Sequence, residues 1–181
     1  MKKYLNQKLI NLIEYYNLIN SNLLLSDAPL KRNLGNVRTA IGRSKFQKLD
    51  KLKKSIQLIR NCELKKNANN LVFGDGNVEA KIMIVGEGPG AQEDAEGKPF
   101  VGRAGKLLDK MLDAIKLDRK SVYISNVVNY RPPLNRRPTE TEIKRYLPYL
   151  INHIEIINPK ILVLLGSTAL NTLIGNEVVI S

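Results

Sequence analysis

An apolar run that leads directly into a glycine-rich loop restricts the fold of this 181-residue chain more than any other sequence feature. Residues Ile82–Val85 (IMIV) have the length and composition of a buried parallel strand. The loop Gly86–Gly90 (GEGPG) has three glycines in five residues, so its backbone can turn sharply and approach another group closely. Acidic Glu93 and Asp94 and aromatic Phe100 follow at short spacing. We therefore predict a binding site at the carboxyl end of this strand.

Segments with helical periodicity separate this strand from two further apolar runs. The runs are Val122–Ile124 and Ile161–Leu165, and helices are predicted for 107–117, for 139–157 and for 168–174. The helix over 139–157 should open with a capping box formed by its first residue and the glutamate three positions later. The alternation of strands and helices predicts an α/β fold, a three-layer α/β/α sandwich with a central parallel sheet.

Glycine and amide residues stand at the carboxyl ends of all three predicted strands. These residues are the loop Gly86–Gly90, Asn126 and Gly166. In open α/β sheets, ligands bind outside the carboxyl ends of the strands. We therefore expect the three positions to line one shared cleft.

The excess positive charge lies in the N-terminal third of the chain. Residues 1–70 carry 15 Lys and Arg against 4 Asp and Glu, whereas residues 71–181 carry 14 against 13. A polyanionic partner such as nucleic acid fits this distribution, and a solvated basic surface is the alternative.

The domain organisation follows from the same division. Apolar residues three or four apart predict an amphipathic helix from Tyr4 to about Leu25, and the basic segment 31–54 has the composition of a linker or DNA-facing arm. We predict a basic, partly helical N-terminal arm over 1–54 and an α/β domain over 55–181.

Several protein classes are excluded or disfavoured by composition. The single cysteine, Cys62, rules out an intrachain disulfide and a metal cage built from this chain's cysteines alone. No apolar run is long enough to cross a membrane, and the N-terminus lacks a signal-peptide core. A cytoplasmic location without membrane contact is expected, and protein partners are unknown.

Several ordered motifs resemble the family 4 uracil-DNA glycosylases over about residues 59–175. These motifs are Gly86–Asp94, Gly97–Gly102, Tyr123–Asn126, Arg131–Pro133 and Asn135-Arg136. The resemblance implies a base-excision repair enzyme that flips uracil out of DNA and hydrolyses its N-glycosidic bond, leaving an abasic site. DNA that contains uracil would be its partner.

The resemblance also assigns roles to individual residues. Phe100 matches the ring that stacks on uracil, and Asn126 matches the amide that offers uracil both a donor and an acceptor. Glu87 and Gly88 match the loop that positions the attacking water, and with Gly86 they would contact the base. Ordinary packing for Phe100, a strand-end turn for Asn126 and a helix N-terminal charge for Glu87 are the alternatives.

Three arginines lie in the proline-rich segment after the second strand. Arg131, Arg136 and Arg137 are predicted to contact the DNA phosphates, with a solvated loop as the alternative.

Two departures from the family pattern carry expectations of their own. Many members hold a four-iron, four-sulfur cluster on four cysteines, whereas the aligned positions here are Ile59, Cys62, Tyr130 and Tyr146, so no cluster and no other cofactor is expected. The family's histidine-proline motif, whose histidine stabilises the charge on the departing uracil, lies beyond the final residue of this sequence. His153, the one histidine, should be an ordinary helix residue.

These departures leave other functions open. The domain would be incomplete at its carboxyl end, so weakened or absent catalysis, and a non-catalytic DNA-binding module of the same fold, are the alternatives to an active glycosylase. A nucleotide-binding protein is a further alternative, because the Gly86-x-Gly88-x-x-Ala91 spacing satisfies a loose dinucleotide fingerprint. Pro89 and the absence of an acidic residue at the end of the second strand disfavour it.

Overall fold

A computed structural model describes residues 34–175, with side chains from residue 44 onward. The amphipathic helix predicted for residues 4–25 lies outside this range. In chain order the elements are α1 (Leu34–Gln57), α2 (Glu63–Asn67), β1 (Asp75–Gly76), β2 (Ile82–Gly86), α3 (Ala91–Glu96), α4 (Arg103–Ala114), β3 (Tyr123–Asn126), a 3-10 turn (Pro133–Asn135), α5 (Glu140–Ile157), β4 (Ile161–Leu164) and α6 (Ser167–Leu173).

The four strands form one sheet in the order β1-β3-β2-β4. Strand β2 pairs in parallel with both neighbours, so that Ile84 lies beside Ile124 of β3 and Val163 of β4. The two-residue strand β1 pairs antiparallel with β3. The predicted parallel sheet is therefore confirmed as β3-β2-β4. Strand β1 was not among the predicted strands, because two residues are too few to show a strand period.

Apolar side chains project from both faces of the sheet. Met83 and Val85 pack into a cluster that includes residues of α1, α2 and α5, whereas Ile84 and Ile124 pack against Leu108 and other residues of α4. This alternation follows from the two-residue period of a strand. Helices therefore cover both faces, and the predicted α/β/α sandwich is confirmed.

Helix α1 occupies much of the segment that was predicted to be a linker. Leu49, Leu52 and Ile56 are spaced three and four residues apart and are all buried. Lys45 also donates to the carbonyl of Ile157 at 2.8 Å and pairs with Glu79. The linker prediction was wrong for this part of the chain, because the high density of lysine obscured a short apolar stripe.

Other predicted elements agree with the structure in type and differ at their ends or in burial. Helix α5 begins with Thr139 and Glu142 in the predicted capping box. Helix α4 ends at Ala114, three residues before the expected end. Strand β4 was predicted to be buried, but Ile161 is 55% exposed, because β4 lies at the edge of the sheet within the described residues. No helix in residues 34–175 has the length and hydropathy needed to cross a membrane.

Candidate functional site

The carboxyl ends of β2 and β3 open onto a cavity of about 380 Å³. Gly86 at the end of β2 lies directly beside Asn126 at the end of β3. The loops continue this pairing, since the Val127 amide donates to the Gly86 carbonyl at 2.8 Å. The cavity is lined by Gly88, Gly90, Ala91, Gln92, Glu93, Phe100, Gly102, Arg103, Ala104 and Asn126. The cleft predicted at the strand ends therefore exists on the β2-β3 side.

A ring and an amide converge over Gly86. A Cβ atom on this glycine would lie 2.5 Å from Cζ of Phe100 and 2.7 Å from Oδ1 of Asn126. Both distances are far below van der Waals contact, so only glycine permits this approach. Within residues 44–175 the Asn126 side chain has no hydrogen-bond partner, although the residue is only 3% exposed. Its amide is therefore available to a ligand in the cavity.

The acidic residues after the glycine loop hold the backbone around the cavity. Glu93 Oε1 accepts from the amides of Val101 at 2.9 Å and Gly102 at 2.7 Å, and its Oε2 accepts from Gly90. Asp94 is 1% exposed and accepts from the amides of Asn69 and Asn70 in the preceding segment. Glu93 therefore organises the wall of the cavity, whereas Asp94 ties α3 to the segment that precedes β1.

Glu87 and Gly88 lie in the same loop but face different surroundings. Gly88 lines the cavity, and a Cβ atom there would lie 2.8 Å from Cγ2 of Val128. The half-buried Glu87 instead accepts a hydrogen bond from the Thr168 hydroxyl at the start of α6. The residues around 166–168 thus contact the loop through Glu87. The sequence analysis did not select Thr168. It did select Gly166, two residues earlier, at the carboxyl end of the third predicted strand.

Two of the three arginines form side-chain hydrogen bonds with nearby residues. Arg131 donates to Oδ1 of Asn135 at 2.7 Å, and Arg136 forms a two-pronged pair with Glu142 at 2.7 and 2.8 Å. The Arg136 hydrogen bonds are the main reason that the pKa of Glu142 falls to about 2. Exposed Arg137 lines a separate groove between α5 and α6.

The proline-rich loop stands beside the cavity. The position of a Cβ atom on Gly88 would be 3.9 Å from Cδ of Pro132 and 4.0 Å from Cγ of Pro138, so both ends of the loop flank this glycine. Between them Leu134 is 97% exposed and has a backbone φ of 55°.

A tyrosine cluster, made of Cys62, Tyr130 and Tyr146, occupies part of the core next to α5. The thiol of Cys62 lies 3.3 Å from the Tyr146 hydroxyl, and all three residues are at most 5% exposed. Burial raises the pKa of both tyrosine hydroxyls. In the described part of the chain no group of three or more histidine, cysteine or acidic side chains is arranged to hold a metal ion.

His153 is a core residue of α5 and does not line the cavity. Its Nε2 lies 2.9 Å from the Tyr123 hydroxyl, and its ring stacks on Phe73 with centroids 4.3 Å apart. Burial lowers the pKa of His153 to about 4, so the ring is neutral at physiological pH. The prediction of an ordinary helix histidine is confirmed.

Comparisons of the sequence with known proteins identify a family and several relatives. The model of the uracil DNA glycosylase superfamily matches residues 73–180. The chain is 47% identical over 124 residues to a type-4 uracil-DNA glycosylase of Archaeoglobus fulgidus, an alignment that covers 68% of this chain and 62% of the relative. It is 48% identical over 116 residues to the Thermotoga maritima enzyme, with coverages of 64% and 60%. The chain therefore spans about three fifths of the length of these relatives.

Proposed function

This chain belongs to the uracil DNA glycosylase superfamily, and we propose that it excises uracil from DNA by hydrolysing the N-glycosidic bond. The observation that carries the proposal is the convergence of Phe100 and Asn126 over Gly86 at the edge of the cavity. An enzyme that acts on a base must remove it from the stack and hold it between a ring and a reading edge. The three residues offer that combination.

Asn126 would select uracil through its side-chain amide. The amide offers a donor to a uracil carbonyl and an acceptor to the ring N–H. Cytosine presents an amino group and an unprotonated ring nitrogen at the same edge, so it would face the amide with the opposite pattern. Leaving buried polar groups unpaired in this way is a strong source of discrimination.

Glu87 and Gly88 would serve the hydrolytic step. In that step the bond from C1′ of the sugar to N1 of uracil breaks, and N1 keeps the electron pair. A water oxygen bonds to C1′ and releases a proton, and the uracil anion gains one, so the products are an abasic sugar and neutral uracil. Positive charge develops on the sugar before the water adds, as in other glycoside hydrolyses. We propose that the Glu87 carboxylate, held by Thr168, orients this water.

The arginines of the proline-rich loop would contact the DNA phosphates. A guanidinium has five N–H donors, so Arg131 keeps several after its hydrogen bond to Asn135. Arg136 is paired with Glu142 and would contribute chiefly by fixing the loop. Arg137 is the strongest candidate for direct contact, because it is exposed.

We also propose that this chain holds no iron-sulfur cluster. Cluster irons are bound by thiolates, and the resemblance to the family sets Ile59, Cys62, Tyr130 and Tyr146 at its four cysteine positions. The Cys62 thiol contacts a tyrosine hydroxyl in a packed core, so this donor set does not fit the group. Stoichiometric iron and acid-labile sulfide in purified protein would contradict the proposal. The cytoplasmic location stays a prediction.

A glycosylase assay with oligonucleotides that carry one uracil tests the function. We expect uracil release from single- or double-stranded substrate, and Asn126→Ala should reduce it by about 100-fold or more. Asn129→Ala is the matched control, because Asn129 is also a buried asparagine near the carboxyl end of β3 but donates to the Val72 carbonyl instead of lining the cavity. DNA binding without any uracil release would favour the non-catalytic module.

A further inference from the structure

Phe100 has a backbone conformation that an aromatic residue rarely adopts. Its φ is 54°, in the left-handed region, where a non-glycine residue is disfavoured. Such conformations persist only where the surrounding structure holds them, and they concentrate at functional sites. We infer that Arg119, together with Glu93, is the positioning residue that holds the ring of Phe100 at the cavity. This inference rests on the proposed function, because it concerns the ring proposed to stack on uracil.

Arg119 binds the carbonyl side of the loop. Its Nη1 donates to the Pro99 carbonyl at 3.1 Å, and its Nη2 donates to the Phe100 carbonyl. The same guanidinium is anchored by Asp109 of α4, at 2.8 Å from Nε, and by Asp75 of β1, at 3.3 Å from Nη1. Arg119 therefore ties the loop to a helix on one side and to a strand on the other.

Glu93 binds the amide side of the same loop. Its Oε1 accepts from the amides of Val101 and Gly102, the two residues that follow Phe100. The peptide groups on both sides of Phe100 are thus held by side chains of opposite charge. Neither contact involves the Phe100 ring, so the ring stays open to the cavity that it lines.

Two glycines leave this loop no space to shift. A Cβ atom on Gly105 of α4 would lie 1.7 Å from the Phe100 carbonyl oxygen, so the loop rests on the helix backbone. A Cβ atom on Gly86 would lie 2.5 Å from the tip of the ring. The ring and its backbone are therefore both confined, and Arg119 is the group that occupies the carbonyl side.

The chemistry of this contact calls for arginine. A planar guanidinium can donate to two carbonyls and two carboxylates at once, whereas a lysine ammonium is a single point with three donors. Arg119→Lys preserves the charge but cannot bind all four acceptors. It should therefore release the loop without removing the positive charge beside Asp75 and Asp109.

The first experiment measures uracil release by Arg119→Lys and Arg119→Met. Because small misplacements at a reacting centre have large effects, we expect kcat/KM to fall by roughly tenfold for lysine and roughly a hundredfold for methionine. Affinity for DNA without uracil should stay within about twofold, since the Arg119 guanidinium is already engaged by four acceptors of this chain, Asp75, Asp109 and the carbonyls of Pro99 and Phe100. Arg145→Lys is the matched control, because Arg145 also donates to loop carbonyls, at 2.5 Å for Asn61, near the tyrosine cluster. Its kcat/KM should not change.

A second readout does not depend on catalysis. The chain has no tryptophan, so Phe100→Trp introduces a single indole at the ring position, which can be excited separately from the seven tyrosines. Its emission should be quenched by an oligonucleotide with uracil more than by one with thymine. Adding Arg119→Lys should abolish this difference, and adding Arg145→Lys should preserve it.

The outcomes separate the two proposals. If the wild-type protein releases no uracil, the proposed function fails, and the fluorescence difference alone decides the role of Arg119. Unchanged kcat/KM in Arg119→Lys together with unchanged quenching would overturn the inference. It would also be overturned if Arg119→Lys and Arg145→Lys lost activity equally, in proportion to their loss of thermal stability.

Discussion

The cavity at the β2-β3 edge and the tyrosine cluster around Cys62 each combine an aromatic ring with a buried polar group. They differ in whether that polar group has a partner within the protein. In the tyrosine cluster two polar groups satisfy one another, since the thiol of Cys62 and the hydroxyl of Tyr146 lie 3.3 Å apart. At the cavity, the Asn126 amide has no partner among residues 44–175, and Phe100 has a disfavoured backbone conformation. Mutual satisfaction stabilises a core, whereas an amide left open within a strained frame is suited to an external ligand.

The largest change in the free energy of unfolding is expected from removing a ring of the tyrosine cluster. Tyr146 is fully buried, so Tyr146→Ala should lower the free energy of unfolding by about 3–5 kcal/mol, which urea denaturation would measure. Uracil release by the folded fraction should not change. The half-buried Tyr149 provides the control, and Tyr149→Ala should have a smaller effect. Equal stability of wild type and Tyr146→Ala would show that the cluster is not a core.

Buried His153 should make the free energy of unfolding depend on pH. Its pKa is about 4 in the folded protein against 6.5 in the unfolded chain, so between these values the unfolded chain binds more protons. The contribution of His153 to the free energy of unfolding should therefore be constant above about pH 6.5 and fall by up to about 3 kcal/mol as the pH drops to 4. His153→Phe should flatten this part of the curve. A curve of unchanged shape in that variant would assign the pH dependence to other groups.

Adding a methyl group at the cavity should lower uracil release more than it lowers the free energy of unfolding. In Gly86→Ala the new methyl group meets Phe100 and Asn126, and uracil release should fall by about 100-fold, equivalent to about 2.7 kcal/mol. Gly74→Ala is the matched control, because its methyl group would meet the Tyr123 hydroxyl at 2.6 Å, away from the cavity. It should lower the melting temperature and leave uracil release by folded protein unaltered. If Gly74→Ala reduced uracil release and Gly86→Ala lowered only the melting temperature, the assignment of the cavity as the binding site would be wrong.

The smallest effect concerns one hydroxyl group. Tyr146→Phe keeps the ring but removes the partner of the Cys62 thiol, so the free energy of unfolding should fall by about 1 kcal/mol. Urea denaturation of this variant beside Tyr149→Phe would measure the difference. An increase in stability would mean that the polar contact costs more by burial than it contributes.

Local patterns predicted the elements on which the site stands. The apolar runs of β2 and β3 and the capping box of Thr139 and Glu142 were all found where the sequence placed them. Each depends on residues within a few positions of one another. Helix α1 and the antiparallel strand β1 were missed, the first because lysines outnumber its apolar stripe and the second because it has only two residues.

Side-chain contacts that depend on the folded chain were beyond local patterns. Arg136 was selected as a contact for the DNA phosphates, which stays a prediction, and its two-pronged pair with Glu142 was not foreseen. Arg119 was not selected at all, although it holds the loop of Phe100 across 19 residues of sequence. Glu87 contacts Thr168 across 81 residues.

The sequence alone determined which strand ends carry glycine, amide and aromatic residues, because strand period, turn chemistry and motif order are properties of neighbouring residues. Only the tertiary structure decided which polar groups satisfy one another and which stay open. It turned Glu87 toward α6, closed the tyrosine cluster and left the Asn126 amide facing the cavity. The physical reason is that a hydrogen bond depends on distances of about 3 Å between atoms, which only the packed chain sets.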